Sequence, residues 1–350
     1  MAETPVRVGI AGLGRAGWNL HATTLEEMSD EFRVVAVCDP NPQRQAEARE
    51  RLGCRAVGDF THLFADDEVE LAVIATPSHL HAALAIEAMR AGKHVIVEKP
   101  FATSLTDADR MIAAAKETGR ILTGSQNQRY AADFLTVREV IDSGKLGEIL
   151  QIRINWHWFR RRWDWQTLKE FGGGSLNNDG AHAVDQALVL FGAAEPRVLS
   201  RLVRTPLSSG DAEDHVKIVL HAPGAPLVDL EFSNACAYPQ DPWLVMGTQG
   251  GLTGTHAQLN WKWVDPRLLP PRPVSREPTP DRSYNREELP WVEESCDLSR
   301  EPHRSSNRRL YRDLYATLRQ NRTLAITAES IRRQIAVLET CREQQGDGAG

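Results

Sequence analysis

At 350 residues, with 41% hydrophobic and 25% charged side chains, the chain is long enough for two ordinary domains and has the composition of a soluble globular protein. A net charge of -6 argues against nucleic acid as a partner, because phosphate neutralisation needs a concentrated basic face. Five widely spaced cysteines (Cys38, Cys54, Cys236, Cys296 and Cys341) show no CxxC spacing, so no disulfide framework and no metal site are expected, and the setting is a reducing cytoplasm. Met1 to Arg7 is polar, and no apolar run reaches the roughly 18 residues of a membrane helix, so neither a signal peptide nor a membrane partner is expected.

Val6 to Ala11 reads as a strand that runs into Gly12-Leu13-Gly14-Arg15-Ala16-Gly17, followed by a helix-compatible run through Met28. A second strand, Phe32 to Cys38, ends in Asp39 at the spacing expected of a dinucleotide-binding unit. Gly12 permits a tight turn, Gly14 lets a pyrophosphate approach the backbone, and Gly17 lets helix pack on strand. The helix N-terminus, where Arg15 and Ala16 stand, offers unpaired N–H groups and a positive dipole end to phosphates. Asp39 can accept hydrogen bonds from ribose hydroxyls and repels a 2′-phosphate, which favours NAD over NADP; Arg44, close by, softens that preference.

Leu71 to Ala75 is an apolar strand with Thr76, Pro77, Ser78 and His81 in or after its carboxyl-end loop, where a cofactor crevice forms. His81 lines that crevice or else caps and packs the helix Ala82 to Ala91. His94 to Val97 is a short β-branched run suited to a parallel sheet buried on both faces, and Glu98, Lys99 and Pro100 stand at its ligand-collecting end. A partly desolvated lysine there can shift its pKa and move protons, or it merely ends a strand at the surface. A helix through Thr118 and a strand at Ile121 to Thr123 complete a doubly wound parallel sheet, with Glu98, Lys99 and Asn127 counted among the cofactor contacts.

Together, GLGRAG at 12–17, ATPSHLH at 75–81, AGKHVIVEKP at 91–100, GGGSLNNDGAHAVDQAL at 172–188 and LYRDLYATLRQNRTLAITAES at 310–330 carry a resemblance that spans nearly the whole chain. The chain resembles the glucose-fructose oxidoreductase, inositol dehydrogenase and rhizopine-catabolism (Gfo/Idh/MocA) group of NAD(P)-dependent oxidoreductases. The resemblance implies a Rossmann domain followed by an α/β domain with a large open-faced, mostly antiparallel sheet. It implies sugars, cyclitols or their derivatives as substrates, and places Lys99 and His182 on the substrate hydroxyl. It also implies a homo-oligomer, dimer or tetramer, formed through the open sheet face.

Leu150 to Trp158 alternates with period two, so it is a strand with unlike faces. Trp156 and Trp158 are read as core. His157 on the other face, and Arg162 and Trp165 in the Arg/Trp-rich run that follows, are taken as substrate contacts, since indoles stack on sugar rings and guanidinium groups bind hydroxyls or carboxylates. The glycine-rich block then enters a helix to about Leu190, which sets Asn178, His182 and Asp185 on one face if it is continuous. Many family members carry an aspartate four residues before the histidine; here Asn178 stands there, with Asp179 beside it. An amide takes no proton at neutral pH, so Asn178 is left to hold a substrate hydroxyl. Either Asp179 supplies the carboxylate or Lys99 and His182 work alone. His182, with an ordinary pKa near 6.5, is suited to accept a hydroxyl proton.

Strands at Val198 to Val203, Val216 to His221, Leu227 to Phe232 and Trp243 to Met246 suit an antiparallel sheet, Asp265 to Asp281 is an exposed loop, and Ser330 to Gln345 is a last amphipathic helix. The domains are expected at 1–125 for NAD and 126–345 for substrate and assembly, with 346–350 a disordered tail. The function expected is a dehydrogenase acting on a secondary alcohol of a sugar, cyclitol or glycoside. Its rivals are a glycosidase that retains NAD and a non-enzymatic regulator that senses NAD or sugar.

Overall fold

The computed structural model describes residues 4–279, 281–302 and 304–346. Among them are a six-stranded and an eight-stranded sheet. The first contains β1 (Val6–Ala11), β2 (Phe32–Cys38), β3 (Arg55–Val57), β4 (Leu71–Ile74), β5 (His94–Val97) and β6 (Leu122–Gly124), in the order β3-β2-β1-β4-β5-β6. Every pairing in it is parallel. Such a sheet buries both faces, and accordingly all four residues of β4 and the last three of β5 are buried. Its helices are α1 (Thr23–Glu27), α2 (Pro42–Leu52), α3 (Phe60–Phe64), α4 (His81–Arg90) and α5 (Leu105–Thr118). Local chemistry sets their ends: the Asn41 side chain accepts from the N–H groups of Gln43 and Arg44 at the start of α2, and Gly53 and Gly119 close α2 and α5 in the left-handed region.

After α6 (Ala132–Asp142), the second sheet is built from β7 (Ile149–His157), β8 (Arg197–Val203), β9 (His215–His221), β10 (Leu227–Ser233), β11 (Trp243–Gly247), β12 (Gly250–Gly254), β13 (Gln258–Trp263) and β14 (Val292–Asp297). Only β7 and β10 pair in parallel; the other neighbours are antiparallel. Ile152, Ile154, Val216, Ile218, Val228, Leu230, Trp243 and Val245 form one buried face, covered by α6, α7 (Ser175–Asn178), α8 (Gly180–Phe191) and the last helix. The opposite face is polar: Lys217 lies within ion-pair distance of Asp229 and Glu231, Arg153 of Asp229, and His157 of Glu231.

The strands β12, β13 and β14 are absent from the sequence reading. Glycine at Gly250, Gly251 and Gly254 hid β12; Gly250 and Gly254 are required there, because a methyl group at either would collide with the carbonyl of a β13 residue. The 265–281 loop is exposed throughout its described residues except at Asp265, Leu269 and Thr279, with a single turn at Pro266–Leu268. Among the described residues no helix is long and apolar enough to cross a membrane, and no group of three or more His, Cys, Asp or Glu could hold a metal ion. Of the tail expected at 346–350, Gly346 ends the last helix and 347–350 lie outside the described residues.

Two closing helices tie the sheets together. Leu310, Tyr311 and Leu314 of α9 (Ser305–Gln320) pack into the first core. In α10 (Ala328–Gly346), Ile331 and Ile335 enter the first core, and Val337, Leu338 and Cys341 enter the second. Arg129 adds a polar joint: Nε and Nη2 each donate at 2.6 Å to the Asp185 carboxylate in α8, and Nη2 also donates at 3.0 Å to Ser330 Oγ in α10. The Asp185 side chain is 2% exposed, so removing one partner strands a buried charge. Arg129→Ala is expected to lower unfolding free energy by about 3–5 kcal/mol, read by urea titration, and a loss within about 1 kcal/mol contradicts that role.

Candidate active site

The glycine turn after β1 has the geometry its residues foretell. Gly12 sits at φ +94°, and a methyl group there would stand 2.5 Å from the Ala75 carbonyl oxygen. A methyl at Gly17 would collide with the Gly12 carbonyl, whereas nothing lies within 4 Å of one at Gly14. The space over Gly14 is where a pyrophosphate can meet the backbone at the helix start marked by Arg15 and Ala16. Gly14→Ala is therefore expected to leave stability within about 0.5 kcal/mol while raising the NAD dissociation constant at least ~10-fold, checked by calorimetry.

Asp39 is buried and holds the turn: one oxygen accepts from Leu13 N–H at 2.8 Å, and the other accepts from Asn41 N–H at 2.9 Å. Arg44 Nη1 stands 3.4 Å from the same carboxylate. Thr76 Oγ1, past the end of β4, is buried without a protein partner, an orphan that a bound dinucleotide can satisfy. Pro77 and Ser78 continue that rim into a single turn, Ser78–Leu80.

Three expected cofactor contacts turn inward instead. His81 lies 2.8 Å through Nδ1 from Pro100 O and 2.9 Å through Nε2 from Thr76 O, so it braces the ends of β4 and β5, the packing alternative left open above. Burial pushes its pKa down. The Glu98 carboxylate faces the interior, 2.9 Å from His21 Nε2 and accepting from Lys99 N–H at 3.0 Å, while His21 Nδ1 is 2.6 Å from Tyr311 Oη. Burial alone raises the Glu98 pKa, but the His21 and Ser125 hydrogen bonds and the Lys99 charge bring it down to about 2. The Asn127 amide donates at 2.6 Å to Asn307 Oδ1 in α9. His81 and Glu98 are buried in the packing between strand ends and closing helices, while Asn127 stays half-buried with one amide hydrogen bond to α9.

Lys99 points out of the first domain. Its Nζ donates at 3.3 Å to the carbonyl of Asn178. That carbonyl is available because the helix expected through this block is broken: α7 ends at Asn178, α8 begins at Gly180, and His182 N–H turns back to Asp179 O at 3.1 Å. Upstream, Gly173 and Gly174 are required, since a methyl at either would collide with the Gln166 carbonyl or the Glu213 carboxylate, respectively. Gly174 sits at φ +105°.

The tautomer of His182 follows from its neighbours. Gln126 Nε2 donates at 3.1 Å to Ala181 O, which fixes the amide with its oxygen 3.2 Å from His182 Nδ1. Nδ1 therefore carries the proton, and Nε2 keeps a lone pair. Burial and the neighbouring Lys99 charge push the His182 pKa down to about 3. Burial also lowers the Lys99 pKa, against the pull of Glu98 and Asp179. Asp179 is pushed up by burial and held back by Arg160 and Lys99.

Beside His182 the apolar face of β7, with Ile152, Ile154 and Trp156, is the face packed on the second core, as its alternation predicts, and the site lies on that same face. Trp156 is on the site face, its ring centroid 6.5 Å from that of His182 and 6.3 Å from that of Phe232. His157 points to the opposite, open face, where it pairs with Glu231 at 3.2 Å and accepts from Gln240 N–H at 3.3 Å. Its assignment to substrate is corrected: period two separates the faces and marks the apolar one, but it does not say that the site shares the apolar face.

Farther along, a shallow, solvent-open hollow is lined by Arg160, Arg162, Gln166, Ser175, Asn178 and Asn234, among others. Arg162 borders it with its charge already met, donating to Asp164 at 2.9 and 2.7 Å and to Gln166 Oε1 at 2.7 Å. Trp165 is 54% exposed and starts the turn that leads into Gln166. Arg160, Trp156 and Gln126 escaped the sequence reading. Arg160 was within its reach, since extending the even-numbered face of β7 past Trp158 leads to it.

Residues 6–125 match the family described as "Oxidoreductase family, NAD-binding Rossmann fold", and 134–253 match the "GFO/IDH/MocA C-terminal domain". The chain is 30% identical over 271 residues to the uncharacterized oxidoreductase C26H5.09c of Schizosaccharomyces pombe, a match covering 73% of each. It is 27% identical over 217 residues to scyllo-inositol 2-dehydrogenase (NADP(+)) IolW of Bacillus subtilis, covering 61% of this chain and 59% of that enzyme. The WlbA dehydrogenase from Bordetella pertussis, solved with NADH and UDP-GlcNAcA, superposes with a TM-score of 0.76 at 24% identity, covering 99% of this chain and 98% of that one. With its NAD-binding Rossmann domain and its second, largely antiparallel sheet, the chain belongs to the Gfo/Idh/MocA family of oxidoreductases.

Proposed function

We propose that the protein is an NAD-dependent dehydrogenase that interconverts a secondary alcohol of a sugar, cyclitol or glycoside with the corresponding ketone. One observation carries the reading: the Lys99 ammonium donates at 3.3 Å to the Asn178 carbonyl, and its charge is felt at the His182 imidazole, so the two groups lie within electrostatic reach of each other. The name of the inositol-oxidising relative supports the substrate class. The backbone at Gly12, Gly14, Arg15, Ala16 and Gly17, with Thr76, holds the dinucleotide, which supplies the two-electron acceptor. Lys99 lowers the pKa of the reacting hydroxyl by placing positive charge beside the forming alkoxide. His182 Nε2 takes the proton, being neutral and unbonded to Gln126. Asp179 favours the charged form of Lys99, and the Asn178 and Arg162 side chains orient hydroxyl groups. Asp39 favours NAD over NADP.

The same reading divides the chain near residue 125 and pairs two or more copies through the polar sheet face, in the cytoplasm. The test is a panel of sugars, cyclitols and glycosides with purified protein and NAD, followed by NADH absorbance. Net NADH formation from at least one free alcohol is expected. Release of sugar from a glycoside without net NADH, or tight NAD binding with no turnover of any kind, overturns it.

A further inference from the structure

Arg160 is fixed on two sides and open on the third. Its guanidinium lies 4.2 Å over the Trp158 ring, and Nε donates at 2.6 Å to Asn234 Oδ1. Its backbone N–H also donates to Asn234 O at 3.0 Å, and Asn234 Nδ2 reaches Ser175 Oγ at 3.4 Å, so the clamp is tied to the start of α7. Among the described residues, Nη1 and Nη2 have no hydrogen-bond partner and no carboxylate within 4.0 Å. Of the nearby acids, Asp214 accepts from Thr205 N–H and Oγ1 at 2.6 and 2.7 Å, Glu213 accepts from Leu176 N–H at 3.0 Å, and Asp164 pairs with Arg162; Asp179 acts on Arg160 through its charge, shared with Lys99, and makes no ion pair with the fork. Arg160 is half-buried. A half-buried guanidinium whose two terminal nitrogens have no protein acceptor is a ready partner for an incoming anion. Two immobilised sides leave the terminal fork in a set plane, the arrangement that grips a carboxylate through two parallel N–H···O bonds.

We propose that Arg160 is a specificity-determining residue that binds a carboxylate, so that the substrate is an acidic sugar or cyclitol of the uronate kind rather than a neutral one. The proposal rests on the dehydrogenase reading for the site's reaction but not for its anion binding. The hollow is open to solvent and lined by Arg160 together with Arg162, Gln166, Asn178 and Asn234, so a ring acid can reach the guanidinium from outside while its hydroxyls meet amide groups.

The test uses the full chain with NAD and compares D-glucuronate and D-galacturonate with D-glucose, D-galactose and D-glucose 6-phosphate. The uronates are expected to exceed the neutral sugars in kcat/KM at least ~10-fold, and Arg160→Met to shrink that ratio by about 10- to 100-fold, with Arg160→Lys recovering part of it. Calorimetry of D-glucuronate with the NAD-loaded protein separates the two readings: binding weakened at least ~10-fold by Arg160→Met upholds the carboxylate site even if no hexose is oxidised. A melting temperature close to that of the parent shows that the variant folds. Oxidation of neutral sugars with a ratio near one, preference for the phosphate ester, or no uronate binding at all overturns the inference, and the first leaves the dehydrogenase reading intact.

Discussion

Replacing Lys99 by methionine is expected to lower kcat/KM by about 10³-fold while NAD still binds. The stem is kept and only the ammonium is lost, so the site stays filled. What disappears is the positive charge that must face a developing alkoxide in a half-buried place where water screens it only in part. The change also leaves the Asn178 carbonyl without its donor, a cost of about 1–3 kcal/mol that falls on the domain contact rather than on the chemistry. Steady-state NADH formation with the preferred substrate, beside calorimetric NAD titration, separates the two effects. A loss smaller than about 10-fold would remove Lys99 from the reaction.

His182→Ala is expected to cost about 10²- to 10⁴-fold in kcat, the range for a positioned proton acceptor. The accompanying pH dependence is the sharper sign of its role. With its pKa down at about 3 rather than 6.5, the imidazole is already neutral and ready to accept a proton throughout the working range. The oxidation rate should therefore lack an acid limb near pH 6.5. On the alkaline side, burial lowers the Lys99 pKa from 10.5, so the needed ammonium is lost as pH rises through a value below that. In acid the same burial works against the fold: between pH 6.5 and about 3 the unfolded chain takes up a proton that the folded site refuses, and stability falls as pH drops through that window. Initial rates, taken before unfolding sets in, are the proper readout. A limb at pH 6.5 that vanishes in the His182→Ala protein would contradict a neutral resting imidazole.

Where one short stretch carries its own structural reason, the sequence was sufficient. The run His94 to Val97 is a strand over those residues, and the glycines at 12, 14 and 17 occupy a tight turn, an open approach and a close packing contact. What escaped depends on partners distant in the chain. Glu98 turns inward because His21 lies 77 residues away, and that histidine is in turn held by Tyr311. Whether the helix runs unbroken through Asp179 is left open by the sequence, because nothing local announces that Lys99 will claim the Asn178 carbonyl. In β7 the alternation is plain and Trp156 packs on the core as expected, but the substrate face is not legible from it, since only the arrival of α8 places His182 beside Trp156 rather than beside His157. Arg160 was passed over as one of three consecutive arginines; stacking on Trp158 and the bond to Asn234 are what set it apart.

A double-mutant cycle on kcat, joining Lys99→Met and His182→Ala, tests the convergence of the two domains most directly. If ammonium and imidazole serve one proton-transfer event, the double variant should be no more than about 10-fold slower than the slower single variant, far short of the product of the separate losses. Losses that multiply in full, or either single variant turning over at the parental rate, would mean that the two groups do not act together on one substrate.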